Sequence, residues 1–216
     1  MPATPVKRRL IRPWMIAVGV ALVVLVAAVL STKVVTIEDA EAAEGVGRFD
    51  PVEYADARFD SEIVPQIQTE AVDLATLLGD LENGADEAEF GQTPGAGSAY
   101  SFPVEFTGVA GAPNGSILPV TVEGVPAGVT VQVQIGPAIN GTALRDVTGT
   151  VSFNEFTNQL EFQEVATEFN NRVRADALSG VDPAQLEGKT VHVVGAYTRV
   201  NPALVSVVPI VFEVEQ

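Results

Sequence analysis

The chain has 216 residues, room for one ordinary domain with attachments, and its 47% hydrophobic content predicts a packed core and excludes a disordered polymer. It contains no cysteine, which excludes disulfides, thiolate metal ligands, a cysteine nucleophile and a lipidated N-terminal cysteine. The formal net charge of -16 is divided sharply: from Val34 onward 7 basic residues face 28 acidic ones, a surface that repels phosphate backbones and argues against nucleic acid as a partner.

Residues 1–13 form a basic tail with Lys7, Arg8, Arg9 and Arg12. Residues 14–30 then run without a charge, and Ser31 and Thr32 extend the stretch before Lys33. Each Leu, Ile or Val there favours insertion by roughly 0.3–0.6 kcal/mol, so residues 14–32 are expected to span the lipid bilayer as a single helix. Cations before the span hold the tail in the cytoplasm and send the rest across, and Trp14 sits where an interfacial aromatic belongs. A cleaved signal peptide is the rival, but its apolar region would be shorter, and the best small-residue site, Ala40-Glu41-Ala42, lies well beyond it. Either route puts the bulk of the chain outside the cytoplasm, periplasmic or extracellular.

Residues 33–48 are acidic and small, a juxtamembrane spacer. Residues 49–97 are expected as a small helical subdomain. Asp50 precedes Pro51 as a helix cap, Ile63, Ile67, Ala71, Leu74, Leu77 and Leu78 recur at helical spacing with a break near Pro65, and Asn83-Gly84 closes the zone. The acidic run of residues 80–87 lacks the spacing of a calcium loop, and Gly95-Ala96-Gly97 lacks the following lysine-bearing helix of a phosphate loop.

Residues 98–216 change period. Extended runs are predicted at 100–106, 116–122 and 129–135; in the last, Val129, Val131, Val133 and Ile135 alternate with Thr130, Gln132 and Gln134. Ser152 and Glu155 form a capping box, with Phe153, Phe156 and Leu160 expected on one face. A helix over about 162–178 turns Phe162, Val165, Phe169 and Val173 inward, closed by Gly180. Two strands follow at 190–199 and 204–214, with Pro209 marking a bulge or an edge. Three strands, a helix and two strands make the whole an α+β protein carrying a five-stranded OB-like Greek-key barrel with the helical insertion between strands 3 and 4. An open antiparallel sandwich is the alternative.

Several strings together resemble a known pattern: Phe49-Asp50-Pro51, Ala71-Val72-Asp73-Leu74, Ile135-Gly136-Pro137-Ala138-Ile139, residues 141–146 (GTALRD), Phe156-Thr157-Asn158-Gln159, Glu168-Phe169-Asn170, Gly188-Lys189-Thr190-Val191 and Val194-Gly195-Ala196. They resemble an uncharacterised bacterial domain-of-unknown-function family described as predicted periplasmic lipoproteins, from Phe49 to the C-terminus. The resemblance implies an OB-like barrel with a small helical domain. It also implies a setting beside sugar ABC-transporter components. Lacking cysteine, the chain departs from the lipoprotein label, and the apolar span is expected to serve as its anchor.

His192 is the single histidine, too little for a zinc site or a Ser-His-Asp triad. A glycosidase carboxylate pair would need a sugar cleft, and the one tryptophan, Trp14, lies in the expected anchor. Asn114-Gly115-Ser116 and Asn140-Gly141-Thr142 match the glycosylation pattern but serve equally as turns. No catalytic residue, metal or cofactor is therefore expected. The candidate ligand-binding patch is Asn140, Thr142, Arg145 and Asp146, with Asn158 and Gln159 after it. Arg145 could fork onto a carboxylate or hydroxyl-rich ligand, or pair with Asp146 while the rest cap a helix. The expected role is a non-enzymatic accessory or binding module of a solute (sugar) uptake system, touching ABC-transporter components or a solute-binding protein. The alternative is a structural envelope protein with no small ligand.

Overall fold

A computed structural model describes residues 49–215. The basic tail, the apolar segment 14–32 and the spacer lie outside the described residues, and among those described no helix is long and apolar enough to cross a membrane. Helix α1 (Pro51–Arg58) starts where Asp50 accepts hydrogen bonds from the Val52 and Glu53 amides at 2.9 and 3.2 Å. One π-helical turn, Phe59–Ile63, carries it into α2 (Val64–Glu70). Pro65 has no amide hydrogen to continue a regular ladder, and the wider turn lets Val64 donate to the Phe59 carbonyl. Strand β1 (Val72–Asp73) interrupts the helical zone between Ala71 and Leu74, where the sequence spacing predicts helix; Asp73 then caps α3 (Leu74–Glu82) through the Thr76 amide.

The strands β2 (Ser101–Ala110), β3 (Ile117–Val122), β4 (Thr130–Gln134), β5 (Thr190–Thr198) and β6 (Leu204–Val214) form a closed barrel. Its order is β2-β3-β4-β6-β5, and β2 pairs back onto β5 across Ser101–Thr198 to Val109–Thr190. That closing ladder decides for the Greek-key barrel over the open sandwich. β4 and β6 run parallel; the barrel's other pairings are antiparallel. The β2–β3 turn is made at Asn114–Ile117, where Gly115 takes a φ of 60°.

Alternation assigns the inner wall. Phe102, Val104, Phe106, Leu118, Val120, Val131, Val133, Val193, Tyr197, Val205 and Val207 are buried and meet across the paired strands. The outer face of β2 and β5 is also buried at Ser101, Val194 and Ala196, because α2 and the short α4 (Ala143–Asp146) lie over it. Outer positions away from the helices, such as Glu105 and Thr107, stay exposed. His192 stands beside Thr107 on that wall, its Nδ1 3.3 Å from the Thr107 hydroxyl.

Pro209 lies at the expected bulge: pairing passes from Val194–Val211 to Gly195–Pro209 and leaves Ile210 unmatched. Here the strands come so close that a Cβ on Gly195 would stand 2.2 Å from the Val208 carbonyl oxygen.

The insertion between β4 and β5 departs from expectation in detail. The Ser152–Glu155 capping box forms, but around a single 3-10 turn, Phe153–Glu155, after which Phe156 is extended. Helix α5 (Gln159–Ala175) begins only at a second cap, Asn158, whose side chain accepts from the Leu160 and Glu161 amides at 2.9 and 3.0 Å. Leu160 consequently points to solvent at 66% exposure and does not share a face with Phe156. Phe162, Val165, Phe169 and Val173 do point inward.

Candidate functional site

The six residues of the sequence-predicted patch do not act alike. Asn140 contributes backbone: its amide donates to Gln134 Oε1 at 2.7 Å and its carbonyl accepts from Gln134 Nε2 at 3.0 Å. Asn158 is the cap of α5, away from Arg145's bonds. Thr142, Arg145, Asp146 and Gln159 converge, lining a cleft of about 590 Å³ with Pro94, Ser98, Ala99, Phe153, Phe162, Gln163, Thr198 and Val200.

Arg145 and Asp146 are 3% and 5% exposed. Arg145 Nε donates to Asp146 Oδ1 at 2.7 Å, Nη1 donates to the Phe162 carbonyl at 2.9 Å, and the guanidinium lies 3.5 Å from the centre of the Phe162 ring. The second Asp146 oxygen accepts from the Thr142 hydroxyl at 2.6 Å. Burying either charge alone would cost several kcal/mol, so the pair, the carbonyl and the ring face together make the site tenable. The structural role anticipated for Arg145, pairing with its neighbour, is realised. Among the described residues only Nη2 of its fork lacks a partner.

The cleft wall at Phe153 is held from the helical side. Glu155 Oε1 accepts the Ser152 amide at 2.7 Å, and Oε2 accepts from the Tyr54 hydroxyl at 3.0 Å and from Arg58 Nη1 at 3.1 Å. Arg58 also grips Glu62 through two bonds of 2.6 Å and reaches the Thr150 carbonyl at 3.3 Å. The bonds from Arg58 hold the Glu62 carboxyl below its usual range. Burial, and then the bond to Glu155, push the Tyr54 hydroxyl up to about 12. A run of rings continues this support: Phe49 on Phe156 at 5.1 Å, Phe156 on Phe162 at 5.4 Å, Phe162 edge-on to Phe153 at 5.5 Å.

Sequence reasoning missed Phe153, Phe162, Gln163, Thr198 and Val200 as cleft residues. Gln159 and Gln163, four apart on an amphipathic helix, were a usable signal. The approach of residues 94–99 and of the end of β5 had none, because it depends on barrel closure. Among the described residues no group of three His, Asp or Glu side chains is placed to hold a metal ion. A second hollow, of about 430 Å³, runs along the β3–β4 hairpin past Pro119, Thr121, Gly128 and Thr130 without a charged or aromatic lining residue.

A solved structure of an OB-fold protein from Thermotoga maritima superposes with a TM-score of 0.60, at 19% identity, covering 77% of this chain and 99% of that one. The likeness establishes the fold: an OB barrel with added helices. No curated protein matches the chain. The family model described as "Predicted periplasmic lipoprotein (DUF2291)" matches residues 21–213. Nearly the whole sequence is thus accounted for by one family of extracytoplasmic proteins of unknown activity, and the chain belongs to it.

Proposed function

We propose that the protein is a non-catalytic accessory module that works by contact outside the cytoplasm. In this reading residues 14–32 hold it at the membrane, and a solute (sugar) uptake system is its setting. The observation that carries the reading is the state of Arg145 and Asp146. They are the strongest chemical pair in the candidate patch, and both are buried and engaged in neutralising each other and fixing α4 to α5. A side chain so committed is poorly suited to shuttle protons or attack a substrate.

The β3–β4 face, where barrels of this type bind oligonucleotides, supports no nucleic-acid role here: its hollow offers no cation and no ring. Family membership supports the location, and the cation cluster ahead of residues 14–32 supports the orientation.

Affinity capture of the full chain from detergent-solubilised membranes tests the proposal. A transporter subunit or solute-binding protein should co-purify, and a control chain with residues 49–216 replaced should lose it. Catalytic turnover that vanishes on replacing a single carboxylate would overturn the reading, as would capture of no partner.

A further inference from the structure

We infer that the cleft beside Arg145 binds an uncharged, hydroxyl-rich small molecule that presents one apolar face. The inference rests on the reading of the chain as a binding module and assigns that module a ligand class.

Electroneutrality is the first argument. The cleft's lining contains two charged side chains, Arg145 and Asp146, and they cancel at 2.7 Å. From Val34 onward the chain has 28 acidic and 7 basic residues, so an anionic ligand would approach against a negative field. A cationic ligand would find no free carboxylate in the lining, because both Asp146 oxygens are already engaged. A neutral ligand meets neither obstacle.

The polar lining supplies the second argument. A buried guanidinium with its Nη2 unpartnered is a fixed donor, oriented by the bonds that occupy its other nitrogens. Gln159 and Gln163 project from successive turns of α5, and neither side-chain amide has a partner among the described residues. Each amide offers both a donor and an acceptor, as a hydroxyl requires. Ser98 adds a hydroxyl to the lining, while that of Thr198 is engaged with Ser101 Oγ at 2.8 Å.

The apolar lip is the third argument. Phe153 is 43% exposed and Val200 80% exposed, and both line the cleft. Phe162 has one face under the Arg145 guanidinium and meets Phe153 at 5.5 Å with the ring planes nearly perpendicular, while much of the Phe153 ring stays open to solvent. A volume of about 590 Å³ lies within the range of small-molecule sites.

The test is calorimetric titration and ligand-observed magnetic resonance of the full chain in detergent micelles. The neutral probes are glucose, galactose, ribose and myo-inositol; the charged counterparts are glucuronate and glucosamine. At least one neutral probe should bind, and its charged counterparts should bind about tenfold more weakly or not at all. Gln163→Ala removes an exposed side chain, so it should retain the melting temperature and weaken binding about tenfold; Phe153→Ala should weaken binding likewise, at some cost in stability from the lost Phe162 contact. Three results overturn the inference: no neutral probe binding at about 10 mM, glucuronate binding as well as a neutral probe, or binding untouched by both substitutions. If a transporter component is captured while every probe fails, the contact module stands and its ligand falls. If a probe binds while no partner is captured, the reverse holds.

Discussion

Arg145 is the residue on which the insertion turns. Replacing it by methionine leaves Asp146 buried with only the Thr142 hydroxyl, and about 3–5 kcal/mol of stability should be lost, read by urea denaturation. Replacing both members, Arg145→Met with Asp146→Leu, should recover a good part of that loss, because no stranded charge remains. Gly195 is constrained differently. A methyl group 2.2 Å from the Val208 carbonyl must push β5 and β6 apart, so Gly195→Ala should cost about 1–3 kcal/mol although alanine favours most backbones. The Arg58–Glu62 pair sets a pH dependence. The Glu62 carboxyl titrates below its ordinary 4.5, so its contribution is complete above the unfolded value and fades as pH falls through the lower folded one. Glu62→Gln should lower stability modestly near pH 7 and flatten that acid limb in melting curves taken from about pH 6 to 3, the two proteins converging at the acid end.

Among the elements, strands were the most legible in the sequence. Alternation from Val129 to Ile135, the turn at Asn114-Gly115 and the warning from Pro209 locate three of the barrel's features from local sequence. The helical zones were less so. Val72 and Asp73 leave the helical path because β2 has an open edge at Val104 and Glu105 to pair with, a long-range partner invisible to local spacing. The capping box at Ser152 is real, yet Thr157 and Asn158 offer a second start, and the extended Phe156 between them decides where α5 begins. Asn158 was legible among the polar groups expected to cap a helix, though not as the residue at which α5 begins. Asn158→Ala should cost about 1 kcal/mol while leaving binding in the neighbouring cleft intact, a split that thermal melts and titration can read together. The site was half visible: Thr142 to Asp146 declare themselves by composition. The partner that orients Arg145 is the carbonyl and ring of Phe162, brought in by packing alone.

For the molecule as a whole, the acidic bias and the proposed orientation meet in one convenient residue. Lys189 is the one lysine after Lys33, and it is exposed. A membrane-impermeant amine reagent applied to intact spheroplasts should modify Lys189 within residues 49–215, and Lys189→Arg should abolish that mark. Labelling of Lys7 in place of Lys189 would reverse the orientation.

Strand β2 is enclosed along most of its length: β5 runs down one side, while β1 and then β3 occupy the other. It cannot peel away as an edge does, since three neighbours must let go together. In heavy water its amides between Val104 and Val109 should therefore retain their protons longest, exchanging only when the entire barrel opens.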